Sequence, residues 1–171
     1  MTDSAYQAKE WLNRLIDLFE KSEQTKQALI FLESKVNNAV ANYENTGRGK
    51  ADLIVRQEQH EDLLIAYSIK REQYEKEYME YVRQEFITMN VLERMKNRRH
   101  AQILFGRHIN RMTIDEMEKS GRYGLKRSRL YSEYRQALDD LGQLLKTEEP
   151  QAIKKADATI KEYFDQKRAT A

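Results

Sequence analysis

Between residues 86 and 146 the sequence carries thirteen Lys and Arg against seven Asp and Glu, a net of +6 in a chain whose total is only +2. Cationic groups gathered in one segment suit a polyanion, because each one set beside a phosphate releases condensed counterions and adds affinity that is independent of base sequence. Within this segment Lys126, Ser128, Arg129, Ser132 and Gln136 recur at helical spacing. Arg can pair with guanine O6 and N7, and Gln with adenine N6 and N7, so these residues match the base edges of a major groove. Arg98, Arg99, Arg107, Arg111, Lys119, Arg122 and Arg127 lie around them and suit phosphate contacts, which set register without reading sequence. The partner expected from this chemistry is double-stranded DNA.

Other chemistries lack a comparable grouping. The chain has no cysteine, which excludes disulfide frameworks and thiolate metal sites. His60, His100 and His108 have no carboxylates at the helical spacings that would close a metal site, and they are expected at the surface. Gly47-Arg48-Gly49-Lys50 lacks the spacing of a phosphate-binding loop and reads as a turn. Asp139-Asp140 and Glu148-Glu149 read as solvated charge near helix ends. No enzyme, metal or cofactor is expected.

The elements that must position the basic residues are helices. A single proline, six glycines and little Val, Ile and Thr alternation leave few places to punctuate strands, and the class expected is all-α. A helix over about 97–109 presents Ile103, Leu104 and Phe105 as apolar anchors and is broken at Asn110-Arg111-Met112. Thr113-Ile114-Asp115-Glu116 is a capping box that starts a short helix, since Thr and Glu three residues apart can satisfy each other's backbone amides. Ser120-Gly121-Arg122-Tyr123-Gly124 supplies a turn, and Leu125 onward resumes helical spacing through Leu130, Tyr134, Leu138, Leu141 and Leu145. A short capped helix, a glycine turn and a longer basic helix follow the helix-turn-helix plan. With Tyr134 at the centre of the buried face, Ser128, Arg129, Ser132 and Gln136 point outward, Lys126 lies at the flank, and Arg127 projects nearer the core.

Ahead of this segment the spacing predicts two long helices. Trp11, Leu12, Leu15, Phe19, Leu29, Leu32, Val36, Val40 and Tyr43 mark the first, and Leu53, Leu64, Tyr67, Tyr74, Tyr78, Tyr81, Met89 and Leu92 the second. The second seam is interrupted by Gln57, His60 and Arg71. Each would be about 60 Å long at 1.5 Å per residue, and the Gly47–Gly49 loop folds them into an antiparallel hairpin. The tyrosine stripe reads first as core packing, with base stacking the lesser alternative, and the polar seam positions suggest self-association. Pro150 is expected to end the preceding helix, leaving a separate amphipathic helix with Ile153, Ala156, Ile160, Tyr163 and Phe164 on one face. The expected domains are therefore a coiled-coil hairpin over 1–95, a helix-turn-helix over 96–146 and a C-terminal helix over 147–171. No apolar run is long enough for a membrane span and no leader is evident, so the cytoplasm is the expected compartment.

The run from Arg98 to Leu141 resembles region 4 of bacterial sigma factors, whose helix-turn-helix reads promoter DNA. The matching pieces are Gln102-Ile103-Leu104-Phe105-Gly106-Arg107, the Thr113, Glu116 and Met117 helix start, and Ser128-Arg129-Leu130-Tyr131 leading into Ala137-Leu138. Together with Ala8-Lys9-Glu10-Trp11-Leu12-Asn13-Arg14 and the hairpin, residues 5 to 145 are similar to phage late-transcription activators of the RinA and ArpU type. Glu118 stands where sigma-type motifs usually have alanine, which implies helices set further apart or rotated. The resemblance implies a phage or prophage regulator in a bacterial host cell, an activator working with host RNA polymerase, while the homo-oligomer is expected from the polar seam positions of the hairpin. A small-terminase-like DNA packaging protein and a coiled-coil adaptor without DNA binding are the alternatives.

Overall fold

The computed structural model describes residues 2–44 and 50–169, with side chains in those ranges except at 40–58, 164 and 167–169. The described residues form α1 (Asp3–Glu44), α2 (Lys50–Glu93), α3 (Arg98–Leu104), α4 (Ile114–Lys119) and α5 (Arg127–Ala169), with a π-helical turn, Phe105–Ile109, extending α3. There is no strand among them, in keeping with the expected all-α class. No described helix is long and apolar enough to cross a membrane. The Gly47–Gly49 turn lies outside the described residues, as do the side chains of Val40, Tyr43, Leu53, Gln57 and Phe164.

Two compact units form, one from Met1–Asp17 with Tyr81–Ala171 and the other from Leu18–Glu80. This division departs from a boundary near residue 95, and the reason is apolar packing at the start of α1 and the end of α2. Ala5, Ala8, Trp11 and Leu12 share a core with Ile87, Val91, Leu92 and Met95, and with Leu104, Leu138, Leu141, Ala152 and Ala156 further along the chain. A smaller core joins Ile103, Ile114, Met117 and Leu130, with Met112, Tyr123, Leu125 and Tyr134 packed against it. α1 and α5 approach closely at Gly142, where an added Cβ would fall 2.2 Å from the Ser4 carbonyl oxygen.

The break expected at Pro150 does not occur, and no separate helix over 147–171 forms. α5 runs through the proline to Ala169. An interior proline removes one helical hydrogen bond and crowds the carbonyl four residues earlier, at a cost of about 3 kcal/mol. Contacts on both sides of it offset that cost. Before the proline, Glu148 pairs with Arg94, and Glu149 Oε1 accepts the Trp11 indole N–H at 2.6 Å. Beyond it Ala152 and Ala156 are buried, Lys155 Nζ donates to Asn90 Oδ1 at 2.7 Å, and the Arg83 guanidinium holds Asp157 through bonds of 2.6 and 3.1 Å. Glu148 and Glu149 are thus tethering groups, not the solvated charge their sequence suggests.

In the unit Leu18–Glu80, α1 and α2 run antiparallel. Thr25 Oγ1 donates to Glu77 Oε2 at 2.5 Å, Lys21 Nζ lies 3.5 Å from Glu77 Oε1, and Lys35, Asn38 and Ala39 face Gln59, Asp62 and Leu63 across a shallow groove. Burial pushes the Glu77 carboxyl up, but hydrogen bonds from Thr25 and Gln73 and the Lys21 charge hold it below its ordinary range. The tyrosine stripe is less buried than core packing requires. Among the described residues of this unit the buried ones are Ser22, Thr25 and Glu77, all polar, while Ile30, Phe31, Leu64, Ile65, Ile69 and Tyr78 are exposed. Tyr67 and Tyr74 are half-buried, and Tyr74 stacks on Tyr78 with ring centroids 5.7 Å apart.

Candidate nucleic-acid interface

Local sequence builds the scaffold that carries the basic residues. Asn97 caps α3, its side-chain oxygen accepting from the amides of Arg99 at 3.1 Å and His100 at 3.4 Å. The π turn closes with Asn110 N–H donating to the Phe105 carbonyl at 3.0 Å, and Arg111 adopts a positive φ of 56° that redirects the chain. The capping box of α4 is complete: Thr113 Oγ1 accepts from the Glu116 amide at 3.2 Å, and Glu116 Oε2 accepts from the Thr113 amide at 2.6 Å. These bonds and the nearby Lys119 and Arg107 charges hold the Glu116 carboxyl below its ordinary range. After α4, Gly121 and Gly124 take positive φ of 65° and 63°, a region open to glycine and costly for most side chains. Gly106 must lack a side chain for a different reason, since a Cβ there would sit 2.0 Å from the Tyr123 hydroxyl oxygen. Tyr123 thereby locks the turn onto α3.

The start of α5 rests on this support through Leu130, which is fully buried. Ser128, Arg129 and Gln136 are exposed, Ser132 is half-buried, and Lys126 is exposed just ahead of the helix. Ser128, Tyr131, Ser132, Arg135 and Gln136 line one shallow, open concavity. Tyr131 and Arg135 were absent from the sequence-derived set, and the cause is rotational. The buried residues Leu130, Glu133, Ala137, Leu138 and Leu141 centre about 40° from Tyr134 at 100° per residue, toward Glu133. Arg135 therefore turns outward, and Tyr131 and Arg129 take the two flanks. The i, i+3, i+7 spacing of Ser128, Tyr131 and Arg135 is the signal that marks this face.

The outlying cations divide into two groups. Arg98 Nη1 donates to the Glu93 carbonyl at 3.0 Å, Arg107 Nη1 to the Met112 carbonyl at 3.1 Å, and Arg111 Nη2 to the Tyr81 hydroxyl at 3.1 Å. Each of these ties one backbone segment or helix to another. Arg127 does not lean toward the core as its helical position suggests. It is exposed, with Nε 3.2 Å from Asp115 Oδ1 and its guanidinium 5.9 Å over the Tyr131 ring, because α4 offers it a carboxylate. Arg99, Lys119 and Arg122 are exposed.

The histidines expected at the surface are placed otherwise. His100 is buried, with Nδ1 2.5 Å from Asp140 Oδ2 and Nε2 3.1 Å from Glu133 Oε2. Its two nitrogens address separate carboxylates, so the three side chains form a linear chain of pairs and do not converge on a point where an ion could sit. Asp139 accepts from the Thr2 hydroxyl, so neither member of the Asp139-Asp140 pair is simply solvated. His108 is also buried, stacked on Tyr134 and 3.0 Å from its hydroxyl through Nε2, while Nδ1 has no partner among the described residues. Burial, with the Arg107 and Lys9 charges, pushes its pKa down to about 4. His60 is half-buried. Sequence spacing could not show these pairings, because the carboxylates that meet His100 are 33 and 40 residues away.

No protein-family model matches the chain, and no curated protein and no solved structure matches it.

Proposed function

We propose that this chain is a sequence-specific, double-stranded-DNA-binding regulator of transcription, in which α4, the Gly121–Gly124 turn and the start of α5 act as a helix-turn-helix. The observation that carries the reading is the open face of α5. Ser128, Tyr131, Ser132, Arg135 and Gln136 form a concavity that no other described element covers, at the end of a short capped helix and a glycine turn. Arg and Gln supply the donors and acceptors that distinguish base pairs in a major groove. Arg99, Lys119 and Arg122 are exposed and are the candidate phosphate contacts. Activation together with host RNA polymerase, in the manner of the RinA and ArpU type of phage regulator, is the role we assign to DNA binding of this kind.

Selection of bound fragments from a random duplex pool tests the proposal. The expected result is an enriched motif, bound with an affinity that falls steeply as salt rises from about 50 to 200 mM. Salt-sensitive binding with no enriched motif favours a packaging protein of the small-terminase kind. Absence of binding at about 50 mM salt leaves an adaptor whose basic segment meets an acidic protein.

A further inference from the structure

The geometry points to Glu133 as a positioning residue for Arg129, held in place from beneath by His100. This inference rests on the DNA-reading proposal above and names the device that would orient one of its arginines. Arg129 lies at the flank of the open face with its side chain 61% exposed, and its Nη2 is 2.7 Å from Glu133 Oε1. An exposed Arg–Glu pair one helical turn apart contributes little on its own, and Arg preceding Glu is the poorer order for such a pair. Here the carboxylate is not free to move, because the Glu133 side chain is only 7% exposed and its other oxygen lies 3.1 Å from His100 Nε2. His100 is fixed in turn by Asp140 at 2.5 Å through Nδ1 and by its place one turn inside the Asn97 cap. His100 thus joins Asp140 to Glu133, and Glu133 in turn joins His100 to Arg129, so the four side chains form one connected chain.

Two consequences follow for binding. A carboxylate beneath a DNA-facing surface would repel phosphates if it were unpaired, and this one is paired with Arg129 on one side and His100 on the other. The guanidinium has five N–H donors in a rigid fork, so holding one nitrogen on Glu133 leaves others to address guanine O6 and N7 with less orientational freedom to lose. Preorganising the first contact through a supporting side chain is what raises discrimination without adding a contact.

A double-mutant cycle on the full chain tests the assignment, with affinity measured for the selected duplex and for a random one. Glu133→Gln keeps the side-chain shape and is expected to lower the ratio of the two affinities by about five- to tenfold, part of what a bidentate contact supplies. Random-duplex binding should not fall. In the Arg129→Ala background Glu133→Gln should produce no further loss of the ratio, a non-additivity that a purely structural role would not give. Additive losses, or an unchanged ratio in a folded Glu133→Gln chain, overturn the inference. Side-chain NMR of the unaltered chain gives a readout independent of DNA and of any variant's folding. The Arg129 guanidinium should be restricted, whereas a freely rotating guanidinium overturns the tether. If the chain selects no motif yet Arg129 is restricted, the DNA-reading proposal fails and the tether stands.

Discussion

Arg98 and Arg129 carry the same functional group in different surroundings. Arg98 is turned back onto the Glu93 carbonyl at the junction of α2 and α3, whereas Arg129 stands at the edge of the open α5 face. Arg129→Ala is therefore expected to lose about 1–3 kcal/mol of discrimination between selected and random duplex, while Arg98→Ala, which removes a tie to the Glu93 carbonyl, leaves that discrimination unchanged. Anisotropy titrations with both duplexes check this, and equal losses from the two substitutions would refute the assignment. His108 carries a pH prediction. Its pKa of about 4 in the fold lies below the ordinary 6.5, so the unfolded chain binds more protons between those values. The stability held by neutral His108 is thus complete above about pH 6.5 and declines as pH falls toward 4, by at most about 3 kcal/mol. His108→Gln should flatten that part of the stability curve in urea unfolding at a series of pH values, and an unchanged slope would contradict the burial argument. At this scale the sequence disclosed which groups offer the donors and acceptors that base edges require. Which of them face outward was hidden, because a rotation of about 40° carries Arg129 to one flank and brings Arg135 onto the open face.

Elements were legible where their signals are local. The Thr113–Glu116 box and the glycines at 121 and 124 specify the start of α4 and the turn after it through bonds no longer than a few residues. Pro150 misled for the converse reason. Its local preference to end a helix is outweighed by bonds to Trp11, Arg94, Asn90 and Arg83, none of them near it in sequence. Pro150→Ala should accordingly raise stability by about 1–3 kcal/mol, since it restores a helical donor at an interior position. An unchanged thermal midpoint would mean that the helix stops there after all. Gly106→Ala is expected to act in the opposite sense, costing about 1–3 kcal/mol as the new methyl displaces the Tyr123 hydroxyl from α3. Tyr123→Phe should recover part of that loss, and a Gly106→Ala chain that melts like the parent would show that the turn is not locked there.

At the scale of the whole molecule, the hairpin expected to be an independent domain is divided between two compact units. The apolar residues that anchor its base, Trp11 and Leu12 on α1 and Val91 and Leu92 on α2, belong to the same core as α5. The Leu18–Glu80 unit buries polar side chains and exposes Ile30, Phe31, Ile65 and Ile69, a pattern suited to association. If the proposed DNA reading uses two half-sites related by a two-fold axis, light scattering on the intact chain should report a dimer, and a ring of about eight or more chains would favour the packaging alternative. Helical class, the segregation of positive charge and the capped turn followed from the sequence alone, because composition, periodicity and caps act between near neighbours. The exposed side of α5, the passage of the helix through Pro150 and the burial of His100 and His108 were decided by tertiary structure. Each depends on side chains brought together from far apart in the chain, such as Trp11 on Glu149 across 138 residues, and no local pattern encodes such a meeting.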